Sequence, residues 1–446
     1  MTTFISKKMP PHAFRRLPLT LTLIALTVPL AATPAQAERT ATATVVSMPQ
    51  CAWSSKYGAT SLNAYWPDTA ATYWSTVYPV TPGLEITISG VFPDARYASF
   101  NVYDDKPTHF TRSGVTSNLP DYLIAPDAGS FNPWRSPARP GGRFTLTLAH
   151  DVAVGQANRL PLAREDALPG TKASVIFRVY LPAGGDANVV LPTMTLTRNG
   201  ISQTLPLCSS GVAAPVPPEA ASMAEDPETT IASGSETPVL PGVPGLPGET
   251  GQKVFTRTSE VENLAPNADN AYLGTWVTPP TTDQVTVIRG RAPRAVSGDH
   301  PAFWPRPLAD LRYWSMCTNL GGQLKPVVIN RFPDAPSSYG CRYDDDTRLD
   351  RFGYYTYVLG REQQRAAIEA IDNTTFLPFS ASYPAAPHMV LLRNLLPDAD
   401  FPHATKNVPM DSPAETAATV MGPYYPLVKV CSLAALAADG PRRCTP

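Results

Sequence analysis

The sequence predicts a mostly β protein: two jelly-roll or β-sandwich-like domains joined by a proline-rich linker, with few short helices in the second domain. Three observations carry this expectation. Proline supplies 50 of the 446 residues, about twice its ordinary share, and each proline removes a backbone donor and fixes φ, which argues against long helices. Short runs rich in Val, Ile, Thr, Tyr and Phe recur between Pro, Gly and Asp clusters, as strands of a sandwich do. Those runs then occur twice, in one order, on either side of a segment that has nothing with which to build a core.

Taken in order, residues 1–37 read as an export signal. A basic stretch ends at Arg15-Arg16, an apolar run follows, and the small-residue tripeptide Ala35-Gln36-Ala37 suits cleavage. The first β domain is expected over 38–212, where ITISGVF, YASFNVYD, RFTLTLAHD and SVIFRVYL alternate apolar with polar residues, as strands with one buried face must. Residues 213–251 hold many prolines and carboxylates but no Lys, Arg or aromatic residue, and read as a disordered acidic spacer. The second β domain, 252–446, repeats the first. TYWSTVYPV (72–80) faces AYLGTWVTP (271–279), and DARYASF (94–100) faces DLRYWSM (310–316). GRFTLTLAHD (142–151) faces GYYTYVLGRE (353–362), RLPL (159–162) faces FLPF (376–379), and VIFRVYLP (175–182) faces VLLRNLLP (390–397). Five segments in the same order read as a duplication. Helices are expected at 361–371, from the capping box Ser412-Pro413-Ala414-Glu415, and around 428–438 with Cys431 on it.

The six cysteines fit an exported chain. Their positions suggest the pairs Cys51–Cys208, Cys317–Cys341 and Cys431–Cys444, because no close C-x-x-C or Cys/His spacing offers a metal site. The formal charge of −1 becomes −5 without the leader, since Lys7, Lys8, Arg15 and Arg16 all lie in it. A chain that works by neutralising phosphates would be basic, so nucleic acid is excluded as a partner. No later segment reaches 18 uninterrupted apolar residues, so no membrane span is expected after cleavage. The expected location is the periplasm or the extracellular space.

The strand motifs YASFNVYD and RYWSMCTN, followed by NRLPL or FLPF and then by FRVYLP or LRNLLP, resemble a recurrent domain of unknown function in exported bacterial proteins. The resemblance covers most of 60–200 and 262–400, and the whole two-unit chain is similar to uncharacterised secreted bacterial proteins. It implies a jelly-roll-like unit and an exported location, and it brings no catalytic residues.

Chemistry is harder to place. The histidines downstream of the leader show no metal-ligand spacing. Asp344, Asp346 and Asp350, close together after Cys341, are a calcium candidate, or else a solvated acidic turn. There is no G-x-S-x-G elbow and no phosphate loop. Asp94 with Arg96, and Asp310 with Arg312, occupy matching places, as do Arg178 and Arg393. Residues two apart on a strand share a face, so each Asp–Arg pair is expected side by side, as a clamp for an anion or sugar or as a structural ion pair. Trp66, Tyr73, Trp74, Tyr78, Tyr272 and Trp276 are either stacking platforms for sugar rings or core aromatics. The expectation is an exported, non-catalytic protein without a cofactor, calcium aside. It would bind a polysaccharide or envelope component through Arg96, Arg312, Trp74 and Trp276. The alternative is a hydrolase or lyase acting on glycans or glycopeptides, with carboxylates such as Asp68 and Asp269 facing an inter-domain cleft.

Overall fold

A computed structural model of the chain describes residues 46–136, 139–208, 254–259, 264–322 and 324–444. The expected signal peptide and linker lie outside them. The described residues belong to one compact unit, built from two β-sandwiches.

The first sandwich contains ten principal strands: β1 (Ser55–Tyr57), β2 (Ala71–Pro79), β3 (Leu84–Val91), β4 (Ala95–Tyr103), β5 (Asn118–Pro120), β6 (Arg143–Ala149), β7 (Arg159–Pro161), β8 (Lys172–Pro182), β9 (Thr193–Arg198) and β10 (Ile201–Leu205). One sheet has the order β1-β2-β8-β4-β5 and the other β10-β9-β3-β6-β7. The second sandwich contains β11 (Asn270–Val277), β12 (Gln284–Arg291), β13 (Leu311–Leu320), β14 (Cys341–Tyr343), β15 (Tyr354–Gly360), β16 (Thr375–Pro378), β17 (His388–Pro397) and β18 (Leu427–Ser432). Its sheets run β11-β17-β13-β14 and β16-β15-β12-β18. Strand for strand this is the order of the first sandwich without β1 and β10. Even the parallel pairing recurs, with β6 beside β7 and β15 beside β16. All five repeated segments occupy equivalent strands.

The prolines sit where a missing donor is tolerated: β2, β5, β7, β8, β16 and β17 each end on one. Each sandwich encloses its own core, the first around Phe100, Trp134, Phe144 and Phe177, the second around Trp314, Tyr355, Leu377 and Leu392. Two sheets are covered on both faces. β4 and β13 are buried at every position and β17 at all but its last, because the sheets that contain them face each other and a third cluster, with Tyr97, Tyr180, Tyr313 and Leu395, fills the space between. The polar positions of YASFNVYD and SVIFRVYL, which alternation would send to solvent, are therefore largely turned toward the other sandwich.

All three disulfides form as expected, and Cys317 and Cys341 lie directly opposite in β13 and β14. The helices need correction. The first is a 3-10 turn at Glu362–Gln364 running into Arg365–Glu369. The second, Ala414–Met421, forms without the capping box, since the Ser412 hydroxyl bonds back to Pro409 O at 2.8 Å. The third begins later, at Leu433. Cys431 belongs to strand β18, whose backbone bonds to β12 override helix propensity. Among the described residues no helix is long and apolar enough to cross a membrane.

Candidate functional site

The Arg-Tyr dipeptide at the start of β4 and of β13 ties the two sandwiches together. Arg96 bonds Asp344 and Asp345 of the second sandwich and the Gly298 carbonyl. Arg312 returns the contact: its Nη1 lies 3.0 Å from both Asp121 oxygens in the first. Tyr97 donates to Asp269 at 2.7 Å and meets Asn267, while Tyr313 donates to Asp68 at 2.9 Å. Asp121 and Asp344 sit on equivalent 3-10 turns after β5 and β14. The arrangement is thus a reciprocal set of braces. Burial raises Asp121 and Asp344 to about 6 against the pull of the neighbouring arginines, and burial also raises Asp269.

Four of the expected ligand residues, Arg96, Arg312, Asp68 and Asp269, are therefore interface residues and not a surface site. Both arginines and Asp68 are fully buried. Nor are the Asp–Arg pairs side by side. Asp94 pairs with His300 and Asp310 with Arg294, because each arginine starts a strand whose second face is covered by the other sandwich and finds its carboxylate there. The two tryptophans are also corrected. Trp74 packs in the first core against Phe177, and Trp276 lies against Trp66, Met389 and Leu391, so neither is an exposed platform. The calcium candidate is not assembled: Asp344 is bonded to Arg96 and Asp350 to Arg289. The single metal-like cluster among the described residues is Asp68 with Cys317 and Cys341, whose sulfurs are in a disulfide and offer no thiolate.

A different site opens beside these braces. A cavity of about 360 Å³ lies between the sandwiches, within the range of small-ligand pockets. Successive outward residues of β8 (Ser174, Ile176, Arg178, Tyr180) form one wall, β2 adds Tyr73 and Ser75, and β11 and β17 add Tyr272, Leu391 and Arg393. Tyr57, Tyr65 and Trp66 stand on the first sandwich's side, and Leu264 to Asn267 on the second's. Register makes the two arginines equivalent: Arg178 lies opposite Tyr73, and Arg393 opposite Tyr272. Both are buried, at 4% and 2% exposure, and among the described residues neither bonds a carboxylate.

Each arginine reaches across the interface with Nη2. Arg178 donates to Ala265 O at 2.6 Å, and Arg393 to Trp66 O. Both acceptors have left-handed backbone, φ 50° and 52°, at equivalent positions five residues before Asn270 and Ala71. Arg178 Nη1 then donates to the Tyr103 hydroxyl at 2.8 Å, which bonds Pro266 O. Tyr103 corresponds to Asn319 in β13, whose amide goes to Met389 O. Arg393 Nη1 is left with no hydrogen-bond partner among the described residues. The acidic residues of the lining are Asp104, which is held by Arg164, and Asp105, which is exposed.

Repeat matching had marked Arg178 and Arg393, and the aromatic list had marked Trp66, Tyr73 and Tyr272. Sequence reasoning missed Tyr103, Tyr180 and the 264–267 segment. The only signal for the two tyrosines was their place on a strand face that alternation assigns to solvent, and the 264–267 segment precedes its strand and carries no such pattern.

No family model matches the chain, and no curated protein matches it. A crystal structure of an uncharacterized protein from Burkholderia cenocepacia is similar, with a TM-score of 0.44 at 12% identity, covering 83% of this chain and 79% of that one.

Proposed function

We propose that this is an exported, non-catalytic binding protein that holds a polysaccharide fragment or other envelope component in the cavity between its sandwiches. The observation that carries the reading is the cavity itself: buried guanidinium groups without carboxylate partners, walled by tyrosines that can stack on a sugar ring. The paired cysteines and the leader-like first 37 residues support export. Catalysis by paired carboxylates finds little support here. Asp68 spends its oxygens on Tyr313, Ser315 and the Ala70 amide, and Asp269 on Tyr97 and Asn118.

The test is calorimetric titration of the oxidised protein with neutral and acidic oligosaccharides, with mass spectrometry of each ligand afterwards. A ligand recovered intact, whose binding is lost on Ser174→Trp, is the expected result, since that ring would fill the cavity from a half-buried wall position. A ligand consumed by the protein, or binding indifferent to Ser174→Trp, overturns the reading.

A further inference from the structure

We infer that the cavity selects a ligand bearing a carboxylate on a ring, and that Arg393 Nη1 is the group that receives it. The inference rests on the reading of the cavity as a ligand site and names its substrate class. Its basis is a place where the repeat breaks. Arg178 and Arg393 share a register position, an opposing tyrosine and an Nη2 bond to a left-handed carbonyl of the other sandwich. A phenol satisfies Nη1 of Arg178. The shorter Asn319 replaces that phenol in the second sandwich and turns its amide to Met389 O, which leaves a charged donor buried and unpaired on a residue that lines the cavity. An unpaired buried charge is costly, so a group from outside completes it favourably. Asp68 is the acidic group felt most strongly by Arg393, but its oxygens are already committed to Tyr313, Ser315 and Ala70.

A carboxylate fits better than a neutral hydroxyl, because a guanidinium N–H bonds an anion more strongly than a neutral acceptor. It also fits better than a doubly charged phosphate. One vacant donor is available, and the exposed Asp105 of the lining disfavours higher charge. The ring follows from the surroundings, since Arg393 lies 5.6 Å from the Tyr272 ring centre, and Trp66 and Tyr73 complete the wall. Hexuronic acids and aromatic acids share this chemistry.

The experiment titrates the oxidised protein with galacturonate oligomers and with hydroxybenzoates, each beside its methyl ester, and with neutral oligosaccharides. The inference expects at least one acid to bind tenfold or more above its ester, as one charge-assisted hydrogen bond commonly provides. Which acid series binds separates a glycan source from an aromatic one. Arg393→Gln is expected to abolish the preference and Arg393→Lys to keep part of it. The acid–ester comparison on the wild-type protein needs no variant, so the test survives a variant that does not fold. Esters or neutral sugars that bind as tightly as the acids, in a manner blocked by Ser174→Trp, overturn the carboxylate anchor and leave the binding function standing. Silence from acids, esters and neutral sugars alike overturns both.

Discussion

Two pairs of repeat-related arginines lie in the interface between the sandwiches, and they behave differently. Arg96 and Arg312 each cross to carboxylates of the opposite sandwich. Arg178 and Arg393 cross to carbonyls and line a cavity. The first pair is architecture in both copies. In the second pair only Arg178 is closed, by a tyrosine that the other sandwich lacks. Residues shared by two copies of a fold report what the interface needs, and a ligand site shows where the copies diverge.

The largest effect should come from the braces. Arg312 is enclosed by Trp304, Tyr122 and Tyr97, and its carboxylate partner Asp121 is fully buried. Arg312→Ala empties that box and strands Asp121, so urea unfolding should show a loss of about 3–5 kcal/mol. Arg96→Ala should lose somewhat less, about 2–4 kcal/mol, because it strands Asp344, which keeps 7% of its side chain exposed where Asp121 keeps none, while Asp345 keeps 33% in solvent and can rehydrate. Equal losses would break the contrast between a sealed brace and a half-open one.

Much of this fold was legible and rather little of the site. The strands, the repeat and the disulfides follow from local patterns: alternation, proline at strand ends, and cysteines placed where chain segments meet. The pattern rule failed in β4, β8 and β17 because it assumes water on the polar face. Arg178 and Tyr180 look like solvent-facing residues of an ordinary strand and are instead the wall of a cavity. Nothing local distinguishes a polar residue bound for water from one bound for a second sandwich. The aspartates Asp68 and Asp269 were picked out by position and do meet the repeated tyrosines, but as acceptors in a brace. The third helix was misplaced for a related reason, since the pairing of β18 with β12 is a long-range fact.

The divergence at Tyr103 can be tested by making the first sandwich resemble the second. Tyr103→Phe removes the hydroxyl from Arg178 Nη1 and from Pro266 O while keeping the ring. Thermal and urea unfolding should register a cost of about 1–2 kcal/mol for the two stranded groups. The cavity should also acquire a second unpaired guanidinium donor, so affinity for an acidic ligand should rise severalfold. A stability change near zero would mean that water replaces the phenol freely, and that the bond marks no real difference between the two arginines.

The smallest effect, at Ala265, comes from comparing the two carbonyls that the arginines hold. Ala265 and Trp66 share a left-handed backbone at equivalent places, φ 50° and 52°, a conformation that costs a residue with a Cβ roughly 1 kcal/mol relative to glycine. At Ala265 the side chain is one methyl group, so Ala265→Gly should recover about 0.5 kcal/mol net of the extra freedom that glycine gives the unfolded chain. At Trp66 the same change should destabilise by about 3 kcal/mol or more. There the strain holds a buried ring against Trp276, Met389 and Leu391, beneath the Lys325 ammonium 4.6 Å from the ring centre. Calorimetric unfolding of the two variants should therefore move in opposite directions. A loss on both would show that the left-handed turn is held by side-chain packing in each copy.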